Sequence, residues 1–129
     1  MTTNVRRVIG IDDVPAVTTR GGDIRLLLTP GTVGASTGFL GVAILKPGER
    51  ITEHYHPYSD EFLYVVSGDV TLDLDDEPIT MCTGQGVLVP RYVRHRVRNA
   101  GDVEVRVVFH LCPLAPRLDL SHVYTEEIP

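Results

Sequence analysis

Three histidines and one glutamate sit in two short blocks of this chain at spacings that suit a single metal ion. The first block holds Gly48, His54, His56, Glu61 and Gly68, and the second holds Gly84, Pro90, His95 and Asn99. On an extended strand His54 and His56 project from one face, because side chains alternate across a pleated backbone. Neutral imidazoles with a carboxylate suit a borderline divalent cation, and His54, His56, Glu61 and His95 together would leave open positions for water or substrate. Zinc is the expected occupant; iron, nickel and manganese suit the same donors.

The elements that must carry these residues read as strands and turns. Residues 24–29 form a short apolar run closed by Pro30-Gly31, and residues 39–45 form another closed by Lys46-Pro47-Gly48. From Glu61 the alternation is clean: Glu61, Leu63 and Val65 share one face. After the turn at Ser67-Gly68-Asp69, Val70, Leu72 and Leu74 share a face against Thr71, Asp73 and Asp75, which predicts an antiparallel hairpin. Asp75-Asp76-Glu77-Pro78 reads as the next turn, 79–83 as a strand, and 86–89 as a strand leading into Pro90. A last hairpin is expected to pair 93–99 with 103–111. In it His95, Val97 and Asn99 face inward while Arg94, Arg96 and Arg98 face out. Many short strands at this spacing indicate a sandwich or barrel.

A chain of 129 residues with 43% apolar residues is sized for one domain with one core. Twelve basic against seventeen acidic residues give a net charge of −5, which argues against a nucleic-acid or anionic-membrane binder and for a small-molecule or protein partner. Cys82 and Cys112 form no C-x-x-C pair and are expected to be free thiols in a reducing compartment. No apolar run approaches the length of a membrane span. Arg6-Arg7 is followed by Asp12 and Asp13 rather than by the apolar segment of an export signal, so a cytoplasmic location is expected.

Through these residues the chain resembles the cupin superfamily. The pattern G-x5-H-x-H-x4-E-x6-G fits from Gly48 to Gly68, and G-x5-P-x-G-x2-H-x3-N fits Gly84, Pro90, His95 and Asn99, except that Tyr92 stands where the pattern has its second glycine. The resemblance implies an all-β jelly-roll barrel as a single domain over 1–129, with its core at roughly 24–112 and the tail from Pro113 irregular or packed across a partner subunit. It leaves the turn before His95 to be built differently, with the Tyr92 phenol entering the cavity mouth. Within the superfamily, the run from His54 to Gly68, the run from Leu88 to His95, and residues 107–116 are similar to the small cupins of aromatic polyketide pathways.

That likeness implies a polyketide cyclase. Its substrate would be a poly-β-ketone, carried on an acyl carrier protein or partly cyclised, and its chemistry aldol condensation with loss of water. Leu63, Val65, Leu72, Tyr92, Val97 and Phe109 are the residues expected to shape a water-excluding cavity. Two other functions use the same residues: an iron-dependent oxygenase, and an accessory protein that stabilises a synthase complex without turnover. Phe62 and Tyr64, opposite Glu61 in parity, would make the exterior sticky, and a homodimer is expected. His110 and His122 are read as surface or interface residues. Arg91, Arg94, Arg96 and Arg98 are read as a solvated face paired with Glu104 and nearby acids, with docking of an acidic carrier protein or a phosphate as the sharper alternative.

Overall fold

The structure, a computed structural model, describes residues 8–128; the Arg6-Arg7 pair lies outside them. Its ten strands are β1 (Asp23–Leu28), β2 (Phe39–Leu45), β3 (Arg50–Tyr55), β4 (Asp60–Ser67), β5 (Val70–Leu74), β6 (Glu77–Met81), β7 (Gly86–Val89), β8 (His95–Arg98), β9 (Val105–Cys112) and β10 (Val123–Tyr124). A single turn of helix, α1 (Pro30–Val33), follows β1. Thr29 caps it by accepting from the Thr32 amide at 3.1 Å, and Gly34 ends it in the left-handed region at φ 70°.

The strands make two antiparallel five-stranded sheets, ordered β1-β2-β9-β4-β7 and β10-β3-β8-β5-β6. Between them lies one apolar core in which Leu45, Val65, Leu72, Val105 and Leu111 are almost wholly buried. Burial follows strand parity. On β4 Glu61, Leu63 and Val65 are buried while Phe62, Tyr64 and Val66 are exposed, and β9 alternates in the same way along its length. Val97 and Asn99 are buried with His95, as the alternation predicts.

Two expected hairpins are absent. β4 pairs with β9 and β7, whereas β5 pairs with β6 and β8, so the turn at Gly68 carries the chain from one sheet to the other. Likewise β8 pairs with β3 and β5, and β9 with β2 and β4. Alternation reports which face of a strand meets the core, and strands in opposite sheets bury the same inward face. Gly68 sits at φ 89°, and a Cβ there would lie 2.9 Å from Val105 Cγ2.

The β5–β6 connection is a tight hairpin. Asp75 and Asp76, at φ 46° and 72°, are its two central residues, so the strand begins at Glu77, earlier than expected, and Pro78 lies inside it. β6 is a sheet edge, where the missing proline N–H is tolerated.

The tail does not stay irregular. Ser59 donates a hydrogen bond to the Pro113 carbonyl, Leu118–Leu120 form a short 3-10 turn, and β10 then pairs with β3. Beyond it the Glu126 carboxylate meets Arg96 Nη2 at 2.5 Å and accepts from the Glu53 amide at 2.7 Å. Arg94, Arg96 and Arg98 do face outward, but their partners are Glu53, Asp73, Asp76 and Glu126 rather than Glu104. Cys82 and Cys112 are free thiols. No helix among the described residues is long and apolar enough to cross a membrane.

Candidate metal centre

The first histidine stands on β3, where a register shift between Ile51 and His54 breaks the alternation and turns both residues inward. His54 pairs across the sheet with His95 at the start of β8. His56 follows just past the end of β3, and its carbonyl accepts from the Tyr92 amide at 3.0 Å. Glu61 comes from the opposite sheet, on the inward face of β4. All four side chains are buried.

The three histidines converge, with one ring nitrogen of each within 4.8 Å of the others. Each Nδ1 is held by a backbone carbonyl: His54 to Thr52 at 2.6 Å, His56 to Ser121 at 2.7 Å, and His95 to Val93 at 3.0 Å. A carbonyl only accepts, so each Nδ1 carries the proton and each Nε2 keeps its lone pair. The Nε2 atoms of His56 and His95 are buried and have no hydrogen-bond partner. Leaving a buried polar atom unpaired costs about 1–3 kcal/mol, and a cation would satisfy both. The donor set therefore fits a divalent metal.

Glu61 adjoins this group from the opposite sheet. Its Oε1 lies 2.9 Å from His95 Nε2, outside hydrogen-bond alignment, and its Oε2 lies 3.7 Å from His56 Nε2. Burial alone would raise the Glu61 carboxyl, but the attraction of His56 and His95 when those rings are protonated outweighs it and holds the group well below the usual carboxylate range. His54 is pushed down to about 3, chiefly by burial and then by His95 and His56 beside it. On His95 burial pulls downward, and the Glu61 carboxylate, the Val93 carbonyl and Glu53 together pull upward more strongly.

These rings line a cavity of about 40 Å³. Of the residues expected to shape it, Leu63, Val97 and Phe109 line it. Val65 and Leu72 instead belong to the core away from its wall, because inward parity in a packed sandwich mostly meets other side chains. Tyr92 is 64% exposed, rests near Tyr55 with ring centroids 6.1 Å apart, and does not enter the cavity. The turn before His95 keeps a left-handed residue at this position: Tyr92 adopts φ 71° itself.

His110 is half-buried on the outer face, its ring 6.0 Å from Phe62. His122 is different from its surface expectation. Its ring is 6.2 Å from His54 and 4.9 Å from Tyr124, and burial, then Arg20 and His56, depress it to about 4. Ser121 and Arg20 also line the cavity and had no signal in the sequence. Ser121 lies 65 residues from the histidine it holds, in a tail without alternation.

Residues 41–111 match the profile of the Cupin_2 family, described as the Cupin domain. The chain is 62% identical to Protein SchB of Streptomyces halstedii, over 98% of this chain and 92% of that protein. It is 56% identical to Polyketide synthase CurC of Streptomyces cyaneus, over 93% of this chain and 78% of that one. Among solved structures, a predicted oxalate decarboxylase of Thermotoga maritima superposes with a TM-score of 0.72 at 16% identity, covering 83% of this chain and 99% of that one, which is a likeness of fold. Two facing antiparallel sheets, inward histidines at both motif positions and a matching profile over more than half the sequence place this chain in the cupin family.

Proposed function

We propose that this cupin is a metal-dependent cyclase of polyketide biosynthesis, acting on a poly-β-ketone by aldol condensation. One carbon–carbon bond forms between a methylene carbon and a ketone carbon, and water then leaves as the new ring aromatises; no electrons are gained or lost. The observation that carries the reading is the group of three imidazoles, each locked at Nδ1, lining a small, mainly apolar cavity. Kinship to a polyketide synthase protein at 56% identity supplies the substrate class.

A divalent cation, zinc in this reading, held by His54, His56, Glu61 and His95 would supply Lewis acidity toward a carbonyl oxygen. The chain supplies the rest. Thr52, Ser121 and Val93 carbonyls fix the three rings so that Nε2 faces the cavity. Leu63, Val97 and Phe109 exclude water, which keeps a reactive polyketone from competing reactions. The outer face of the β1-β2-β9-β4-β7 sheet exposes Phe62, Tyr64, Val66 and Leu88, and in this reading it joins a second copy as a homodimer.

The test pairs elemental analysis of the purified protein with turnover of a model polyketone. Cyclised product from zinc-loaded protein without oxygen is the expected result. Turnover that requires both iron and oxygen would assign the site to an oxygenase instead. Unchanged product pattern and yield in a folded His54→Ala, His95→Ala double variant would assign the protein an accessory role.

A further inference from the structure

A second concavity lies beside the metal cavity. It measures about 390 Å³ and runs between α1 and the tail segment before β10, with Pro30 and Gly31 on one side and Leu114, Ala115, Pro116 and Leu118 on the other. Phe39 and Ser121 line both spaces. They form the common wall, each almost buried at 6% and 4% exposure.

The two volumes divide the work. A six-membered ring needs a cavity of roughly 150 Å³, whereas about 30 Å³ is the share of one water molecule. The 40 Å³ space at the histidines therefore admits a reacting carbonyl group and not the ring body attached to it. The 390 Å³ cleft admits more than one ring. Its walls are mainly apolar, and its one cation, Arg117, is paired with Asp119 at 3.1 Å, so a neutral ligand is favoured over an anion.

We infer that this cleft is the binding site for the body of the substrate, a neutral, flat, apolar ring system or folded polyketone, whose reacting end passes between Phe39 and Ser121 to the histidines. The inference rests on the cyclase reading for the identity of the ligand, and on the shared wall for its placement. The tail then has two tasks at once. The segment that walls the cleft ends at Ser121, whose carbonyl also holds the His56 ring at 2.7 Å.

The test compares two probes that carry the same diketone, acetylacetone and 1-(2-naphthyl)butane-1,3-dione, by calorimetry on the purified, metal-loaded protein. The naphthyl probe is expected to bind at least about tenfold more tightly, because only it places a ring system in the cleft. Ala115→Phe and Gly31→Phe fill the cleft from opposite sides and are expected to bring that ratio close to one. A Cβ on Gly31 meets nothing nearer than Thr29 Oγ1 at 3.8 Å, so Gly31→Phe starts without a backbone clash, and circular dichroism and melting check that each variant is folded. A ratio near one in the unaltered protein, or a ratio unchanged in the folded variants, overturns the inference. A tenfold ratio that both variants abolish, in a protein that cyclises nothing, supports the cleft and overturns the cyclase chemistry.

Discussion

His56 donates its Nδ1 proton to the carbonyl of Ser121 at 2.7 Å, across 65 residues of sequence. The tail thereby orients a ring of the histidine group, and it is itself held down by β10 on β3 and by Glu126 on Arg96. A chain ending at Pro116 keeps both sheets apart from β10 but releases that ring. Its affinity for zinc, measured by competition with a chelator, is expected to fall by about 10–100-fold, the usual effect of losing a partner that orients a ligand.

Removal of a ligand is more severe. His54→Ala and His95→Ala each take one imidazole out of the group. Each is expected to weaken zinc binding by more than about 100-fold, beyond the loss of an orienting partner. Elemental analysis after dialysis reads this directly. Melting of the metal-free proteins checks that the fold is retained, and His54→Ala is expected to melt close to the unaltered chain.

The ion pairs that fasten the tail make stability depend on pH. Glu126 is lowered from 4.5 to about 2, first by its contact with Arg96, against a burial effect that works upward. A depressed carboxyl contributes stability that is present above its unfolded value and is lost as pH falls through the folded value. The melting temperature should therefore decline between about pH 4.5 and pH 2, with other acids adding to the trend. Glu126→Gln should lower the melting temperature at pH 7 and flatten that part of the decline.

Tyr92 holds a left-handed conformation at φ 71° with its side chain 64% exposed. An L-residue there bears a strain of about 1–2 kcal/mol, part of which glycine returns through its larger unfolded-state freedom. Tyr92→Gly is expected to stabilise the protein by roughly 0.5–1 kcal/mol in denaturant unfolding. Destabilisation would instead give the Tyr55–Tyr92 contact the larger share.

Phe62 and Leu88 are register partners on the outer face and are each about half exposed. In the homodimer reading, Phe62→Asp with Leu88→Asp places two charges in the apolar contact. Gel filtration with light scattering should then report a monomer from a chain that is otherwise a dimer. A monomer in the unaltered chain ends that reading.

The histidine blocks were legible in the sequence because motif spacing and strand parity are local. Parity alone set Glu61, Val97 and Asn99 on inward faces and Phe62 and Arg96 on outward ones, and burial along β4 and β8 follows it. It failed where information had to cross space. The chain changes sheets after β4 and after β8, which inward alternation does not record. Leu72 and Val65 share the inward sense of Leu63 yet touch core, since a cavity is the remainder left by packing and belongs to no single strand.

Motif spacing and strand parity named the candidate donors, the strand faces that carry them and the family to which the chain belongs. The tertiary fold added that Ser121 orients His56, that His122 lies beside His54, and that a cleft adjoins the histidine cavity at Phe39. These relations join residues through the folding of an unpatterned tail onto the barrel. Their geometry arises from long-range hydrogen bonds and ion pairs, which leave no periodic trace along the chain.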